Sequence, residues 1–338
     1  MCSSIFPESV AHVTGFIVGD RVISRAFPTH PDWSAGFGKH NGFSFIGASA
    51  VGQLHLREGR RREDCFLLRS KGEWLLGLVA DGVGSARLGG FGASLAVNFF
   101  AEEVLGGLAV MGGHTGSSQK DRAKRRWRGY GTRLSPVRAG EGVGTLSWYR
   151  QFKVQYDGDG HPWSENECLE WIIRALERTH DFLLATAQRE NEQARALATT
   201  LLGVLFDTFS HRGVAFQIGD GLILAVYEDE SQPLVEVSDF EVGETAVLTQ
   251  WNWKEWLRWR FFPWEESLRA IFLMTDGVAD DCLYTPPEDT LQRFGQDLVR
   301  ELKGVLDEEA AARKFLYWLS EYKAPSSFDD RTLLALYR

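Results

Sequence analysis

Short apolar segments next to aspartates recur along this chain and constrain both its fold and its chemistry. Asp81-Gly82, Asp220-Gly221 and Asp276-Gly277 each follow a hydrophobic run that has the length of a β-strand. Asp64 directly precedes another such run, and Asp329 lies just before the last one. We therefore expect these acids to lie at the rim of a packed core.

Carboxylates in such positions need a partner, because an isolated buried carboxylate is costly. Few basic residues lie beside these aspartates in the sequence, apart from Arg60–Arg62 and Arg331, and no histidine or cysteine spacing accompanies them. Oxygen ligands alone favour hard cations such as Mg²⁺ or Mn²⁺. A single Asp-Gly pair more often marks a turn, so the metal prediction rests on the conjunction of three pairs.

The composition disfavours several other classes of protein. A net charge of −9 disfavours binding to nucleic acid, which depends on neutralising phosphates. No apolar run reaches the ~18 residues that span a membrane, and the four cysteines show no CxxC spacing. We expect a cytoplasmic protein that binds neither nucleic acid nor membranes.

The order of the predicted elements favours an α+β fold with antiparallel sheets, because strands and helices alternate in blocks. The segment 219–221 is predicted to be a hairpin turn between two strands. Predicted strands cover 43–49, 64–70, 74–80, 199–208, 212–220, 221–229, 269–276 and 331–338, and predicted helices cover 92–105, 164–196 and much of 288–322.

Residues 106 to about 162 interrupt this pattern with clustered glycines and then a strongly basic segment. Such a composition is typical of a solvated insertion, and docking of an acidic or phosphorylated partner is the alternative. We divide the chain into an N-terminal extension, 1–41, and a single domain, 42–338, that contains this Gly/Arg-rich insert.

Six short motifs occur in an order that resembles the PPM family, the type 2C metal-dependent serine/threonine protein phosphatases. The DGVGSA form of the second motif is most similar to a divergent bacterial branch of that family. The resemblance implies a four-layer α-β-β-α sandwich, in which helices flank two antiparallel sheets. The motifs are Glu63-Asp64, VADGVGSA at 79–86, ATT at 198–200, IGDG at 218–221, MTDGVAD at 274–280 and DDRT at 329–332.

The resemblance also implies two divalent cations, Mn²⁺ or Mg²⁺, and in some members a third. Asp81 would bridge the two metals, while Asp276 and Asp329 would hold the first, so these three are the predicted catalytic residues. The Gly82 carbonyl would hold the second metal. The full set that the resemblance assigns to metal binding is Glu63, Asp64, Asp81, Gly82, Asp220, Asp276, Asp280 and Asp329.

The remaining roles follow from the same resemblance. Glu63 would reach the second metal through water with support from Asp64, and Asp220 and Asp280 match a weaker third site. Two cations about 3.5–4 Å apart activate a bridging water, which attacks phosphorus in line without a covalent intermediate. The implied substrate is phosphoserine or phosphothreonine in another protein, and a Ser/Thr kinase or its targets would be the partners.

The sequence departs from the family pattern at two positions. Many members carry a phosphate-binding arginine five residues before the aspartate of the first motif, where this chain has Gly59. Arg57, Arg60 and Arg61 are the candidates to replace it, because a guanidinium binds phosphate well. Some members also carry a histidine, a proposed general acid, where this chain has Val83.

Three other functions remain open. The two departures suggest a catalytically weak scaffold that binds phosphoproteins. A nucleotide site of Rossmann type is disfavoured, because Gly82–Arg87 lacks the third glycine of the fingerprint. A two-metal nuclease would use the same chemistry, but the acidic charge disfavours it.

Overall fold

Two β-sheets packed face to face form the centre of the protein. The structure, a computed structural model, describes residues 12–15, 32–112, 163–237, 245–283, 287–303, 307–321 and 328–338. In spatial order, the seven-stranded sheet consists of β1 (His12–Gly15), β2 (Trp33–His40), β3 (Phe43–Ala50), β12 (Arg331–Tyr337), β11 (Leu268–Met274), β8 (Leu222–Tyr227) and β9 (Ser231–Pro233). The five-stranded sheet consists of β10 (Arg258–Pro263), β7 (Arg212–Ile218), β6 (Leu201–Asp207), β5 (Trp74–Ala80) and β4 (Cys65–Lys71).

Neighbouring strands are antiparallel throughout both sheets, except that β1 pairs parallel with β2. In particular, β5 is antiparallel to both β4 and β6. The turn after β5 therefore does not belong to the βαβ unit that a Rossmann-type nucleotide site requires.

Helices cover the outer faces of both sheets. The helices of the described residues are α1 (Gln53–Glu58), α2 (Gly89–Gly112), α3 (Glu165–Arg189), α4 (Trp253–Trp256), α5 (Asp276–Leu283), α6 (Pro287–Lys303) and α7 (Glu308–Glu321), with a short 3₁₀ turn at Ala194–Leu197. One core lies between the sheets and includes Phe43, Phe206 and Ile271. A second lies under α2 and α3, and a third lies under α5, α6 and α7. These four layers are the α-β-β-α sandwich that the resemblance implied.

Helix α3 begins with a capping box, in which Glu167 N donates to Ser164 Oγ at 3.1 Å and the Glu167 carboxylate accepts from Ser164 N. It ends at Arg189, earlier than the predicted 196, because Asn191 adopts a left-handed conformation with φ of 57°. Helix α2 is longer than predicted, since it begins at Gly89 and runs to Gly112, into the start of the predicted insert.

The predicted hairpin at 219–221 is wrong. Strand β7 pairs with β6 and β10 in the five-stranded sheet, whereas β8 pairs with β11 and β9 in the other sheet. Both strands are buried along almost their whole length, so their apolar pattern fits a hairpin and a crossing between sheets equally well. The chain thus changes sheets at Asp220.

Residues 33–40, which we assigned to the N-terminal extension, form β2 and pair with β3 along their whole length. A two-residue turn, Asn41-Gly42, joins them with φ of 48° and 84°, as in the hairpin turns that favour Asn-Gly. The proposed boundary at 41 thus cuts a hairpin. The rest of the predicted insert, from 113 to 162, includes its basic segment and lies outside the described residues.

None of the helices in the described part of the chain combines the length and the apolar character needed to cross a membrane.

Candidate active site

Asp81 lies where β5 ends and the chain turns toward α2. Its backbone N–H donates to Thr200 Oγ1 at 2.9 Å, and its carbonyl accepts from Thr199 Oγ1 at 2.8 Å and from Thr200 N at 2.9 Å. The next residue must be glycine, because a Cβ on Gly82 would collide with the backbone of Gly89. The threonines of the ATT motif thus fix the backbone that carries the Asp81 carboxylate.

Asp64 lies at the start of β4 and is 1% exposed. Its Oδ2 accepts hydrogen bonds from Thr275 Oγ1 at 2.8 Å and Thr332 Oγ1 at 2.7 Å. Its Oδ1 is buried without an N–H or hydroxyl donor among the described residues, and the carboxyl group of Asp81 lies against the Asp64 carboxyl group. Burial, and secondarily the charge of Asp330, raise the pKa of Asp64 to about 7. This carboxylate therefore joins the ends of β4, β11 and β12.

The other predicted acids converge on the same place. Burial, followed by the charges of Asp276 and Asp64, raises the pKa of Asp81 well above its ordinary value. Burial, followed by the charges of Asp220 and Asp329, does the same for Asp276. The pKa of Asp329 is also raised, chiefly by burial. These mutual effects require carboxylates close together in a poorly solvated place.

Asp220 and Asp280 lie on the side of this cluster that faces Asp276. Asp280 follows Asp276 by one turn of α5. Burial, followed by the charge of Asp220, raises the pKa of Asp280 to about 6. Asp220 itself accepts a hydrogen bond of 2.5 Å from Thr245 Oγ1 through Oδ2. Asp220, at the crossing between the sheets, thus lies close to α5.

Two further residues, His55 and Asp330, belong to the site but were not among the predicted ligands. Asp330 accepts from Gly52 N through Oδ1 at 2.6 Å and from Glu63 N through Oδ2 at 2.5 Å. His55 Nδ1 lies 3.0 Å from the same Oδ1, and His55 Nε2 lies 3.9 Å from Asp329 Oδ1. Asp330 therefore ties together both ends of the segment 52–63.

His55, Asp329 and Asp330 offer potential metal-ligand atoms that lie within 4.8 Å of one another. Both oxygens of Asp330 are occupied by backbone N–H groups, so we assign it to holding the segment 52–63. The adjacency of two aspartates in the last motif was the available sequence signal for Asp330. Nothing comparable distinguished His55, whose position follows from α1.

Two of the three candidate phosphate-binding arginines, Arg57 and Arg60, lie in different surroundings. Arg60 donates through Nη2 to Glu63 Oε1 at 2.6 Å and to the Gly84 carbonyl at 2.9 Å, so it spans the predicted metal ligands and the turn after Asp81. Arg57 is exposed, and its guanidinium carbon lies 5.9 Å from the centroid of the Phe328 ring. Only Arg60 therefore contacts one of the predicted metal ligands.

The donor set of the cluster fits a divalent cation. Glu63 Oε2 and Asp64 Oδ1 are buried oxygens without an N–H or hydroxyl donor among the described residues. The aspartates around them repel one another, as their raised pKa values indicate. A hard cation that takes oxygen ligands would satisfy these oxygens and offset the repulsion.

Comparisons with known proteins agree with this geometry. The family model described as protein phosphatase 2C matches residues 51–320, most of the chain. A search of curated proteins finds no match. Among solved structures, the fold is similar to that of a bacterial serine phosphatase, with a TM-score of 0.52, 13% identity, and coverage of 88% of this chain and 98% of that chain.

Two further structures share the fold. PppA of Pseudomonas aeruginosa, a regulatory component of its T6SS, aligns with a TM-score of 0.52 and 14% identity over 87% of this chain and 97% of its own. A sex-determining protein of C. elegans aligns with a TM-score of 0.51 and 14% identity over 89% of this chain and 66% of its own. The sandwich fold and the family match together show that the chain belongs to the protein phosphatase 2C family of protein phosphatases.

Proposed function

We propose that this protein removes phosphate from phosphoserine and phosphothreonine in other proteins, with two divalent cations, Mn²⁺ or Mg²⁺, held by its acid cluster. The observation that carries the proposal is the pair of buried oxygens, Glu63 Oε2 and Asp64 Oδ1, that find no N–H or hydroxyl donor among the described residues. They lie in a cluster where burial disfavours every uncompensated negative charge. Such a site is costly unless cations occupy it.

The ligands we propose follow the family pattern. Asp81 would bridge the two cations, Asp276 and Asp329 would bind the first, and the Gly82 carbonyl and Glu63 would serve the second. Asp220 and Asp280 would hold a weaker third cation. When bound, the cations supply an activated water for attack on phosphorus and offset charge on the phosphoryl oxygens.

The protein's own contribution is to hold these groups before substrate arrives. Thr199 and Thr200 fix the backbone of Asp81, and Thr275 and Thr332 bind Asp64. These bonds keep mutually repelling carboxylates in place, so little reorganisation is needed when substrate binds.

We further propose that Arg60, rather than Arg57, binds the phosphate of the substrate. Its guanidinium already contacts Glu63 and the carbonyl of Gly84. A guanidinium carries five donors in a planar fork, and the contacts with Glu58, Glu63 and Gly84 leave some of them for a phosphate oxygen. Arg57 remains the second candidate.

One observation favours a second function, a catalytically weak scaffold that binds phosphoproteins. Gly59, which occupies the position of the usual arginine, ends α1 with φ of 68°. An arginine there would be strained, so the departure from the family pattern is built into the backbone. Val83 likewise supplies no acid for the leaving group.

Hydrolysis of p-nitrophenyl phosphate separates the two functions. An active phosphatase should release nitrophenol with Mn²⁺, and this release should stop when a chelator is added. A protein that binds Mn²⁺ in calorimetry but hydrolyses nothing would instead support the scaffold.

A further inference from the structure

The surface around α1 combines exposed apolar side chains with uncompensated positive charge beside the acid cluster. Among the described residues, six large hydrophobic side chains are exposed, and three of them, Leu54, Leu56 and Phe328, belong to this surface. Their exposed fractions are 44%, 49% and 53%. Grouped exposed apolar side chains of this kind are typical of binding sites. We call this surface, together with Arg57 and Arg61, the α1 ledge.

The α1 ledge is joined directly to the predicted metal ligands. Phe328 immediately precedes Asp329 in the chain, and its carbonyl accepts a hydrogen bond of 3.0 Å from Leu54 N. The buried side of α1 carries His55, which is 2% exposed and lies against Asp329 and Asp330. Leu54 and Leu56 flank His55 on either side and point away from the core.

The ledge is also held in a defined position. Asp330 accepts hydrogen bonds from Gly52 N at 2.6 Å and Glu63 N at 2.5 Å, so both ends of the segment that carries α1 are fixed. Arg57 lies over the Phe328 ring at 5.9 Å, which orders this guanidinium on the apolar surface. A surface that is ordered before binding loses less entropy when a partner binds.

The charge of the ledge indicates its partner. Arg57 and Arg61 are exposed and form no ion pair with a carboxylate of the described residues, whereas Arg60 is paired with Glu63 and Glu58. The whole chain has a net charge of −9, so a local positive charge beside an acid cluster is complementary to an acidic partner. A phosphopeptide has this charge, and exposed leucines are complementary to an apolar side chain in it.

We propose that the α1 ledge binds the substrate peptide beside the phosphorylated residue, and that it selects substrates with an apolar side chain and an acidic side chain near that residue. The inference rests on the phosphatase activity proposed above. An extended peptide advances about 3.3 Å per residue, so the contacted side chains lie within a few positions of the phosphate. The α1 ledge contributes to the affinity for the peptide and does not contact the reacting atoms.

The test compares two phosphothreonine peptides in the full-length protein with Mn²⁺. One carries leucine and aspartate on both sides of the phosphothreonine, and the other carries serine and glycine instead. We expect the wild-type protein to favour the first peptide by about fivefold or more in kcat/KM. In the Leu54→Ser, Leu56→Ser double variant this preference should fall at least twofold through a higher KM, with hydrolysis of p-nitrophenyl phosphate unchanged, and Arg57 should retain the part that depends on aspartate.

Phe209→Ser is the matched control. Phe209 is 79% exposed and lies just after β6, at the opposite end of that strand from Thr200. It should keep the preference. Arg57→Gln should reduce the preference for aspartate over lysine at the flanking positions. The inference is overturned if the wild-type protein treats both peptides alike, or if the double variant keeps the preference, or if Phe209→Ser loses it equally.

A wild-type protein that hydrolyses neither peptide nor p-nitrophenyl phosphate would overturn the proposed function and leave the ledge to be judged by binding. Fluorescence anisotropy of the two labelled peptides with the same proteins then decides. Tighter binding of the apolar and acidic peptide that is weakened in the double variant supports the ledge, and equal binding overturns it.

Discussion

The imidazole of His55 and the carboxylate of Asp330 form a buried pair, in which Nδ1 lies 3.0 Å from Oδ1. The close contact with the Asp330 carboxylate is the main reason that the pKa of His55 is raised above 6.5. The same carboxylate accepts the backbone N–H groups of Gly52 and Glu63. One buried acid thus sets the position of Glu63 and of the segment that carries Arg60.

Replacing Asp330 should therefore impair metal binding without removing a metal ligand. Asp330→Asn keeps an acceptor for one backbone N–H but not for both, and leaving a buried donor unsatisfied costs about 1–3 kcal/mol. Loss of such supporting hydrogen bonds typically weakens metal affinity about 10–100-fold. Calorimetric Mn²⁺ titration of the variant and the wild-type protein measures this. An unchanged Mn²⁺ affinity would refute the role of Asp330.

Asp81→Asn should abolish turnover and stabilise the metal-free protein. Burial and the charges of Asp276 and Asp64 disfavour the Asp81 carboxylate, and a neutral amide removes that repulsion. We expect the Tm in chelator to rise by about 2 °C or more, and the rise in Tm that Mn²⁺ produces in the wild-type protein to be lost. Asp229→Asn, at an exposed position, is the control. Near-normal activity of Asp81→Asn would show that the metal assignment is wrong.

The stability of the metal-free protein should fall as the pH rises from about 5.5 to 7.5. The folded-state pKa is about 7 for Asp64 and about 6 for Asp280, against an ordinary 3.8. Between the ordinary pKa and the raised pKa of each group, the folded protein holds a proton that the unfolded chain has released. Deprotonation therefore favours unfolding.

His55 contributes in the same direction. The stability that its raised pKa provides is present below pH 6.5 and is lost as the pH rises through the pKa of His55 in the folded protein. Thermal melts at both pH values with chelator and with Mn²⁺ test this. Bound cations should remove the carboxylate contribution. A metal-free protein that is more stable at the higher pH would contradict the prediction.

Arg60→Ala should raise the KM for a phosphopeptide about tenfold while changing kcat less, since it removes a contact with the phosphate. Arg60→Lys should recover only part of the loss, because lysine lacks the guanidinium fork. Arg69→Ala is a suitable control, because Arg69 pairs with Glu102 in a different part of the protein. A larger effect of Arg57→Ala than of Arg60→Ala would move the phosphate site to Arg57.

Much of the fold was predictable, because the central strands are short, apolar and bounded by turns. The acids could be placed at strand ends for the same reason. The crossing at Asp220 was missed since a Gly-Asp-Gly turn serves a hairpin and a change of sheet alike. Strand β2 was missed although Asn41-Gly42 is a strong hairpin signal, because Trp33–His40 contains two glycines and few strongly apolar residues.

The candidate site could be predicted only in part. The acids were identifiable from motifs whose order the chain preserves. His55 and Asp330 act through contacts between α1, β4 and the start of β12, which are far apart in the sequence. The same holds for the choice between Arg57 and Arg60, which depends on how the segment 52–63 lies against Glu63 and Phe328.

Phosphate release from a phosphothreonine peptide, measured with Mn²⁺, with Mg²⁺ and with chelator, tests the central claim most directly. The account predicts release that depends on the cation, stops with chelator and exceeds the background of Asp81→Asn. If calorimetry shows that the protein binds Mn²⁺ but no phosphate is released under any of the three conditions, the account is contradicted and the phosphoprotein-binding scaffold is supported.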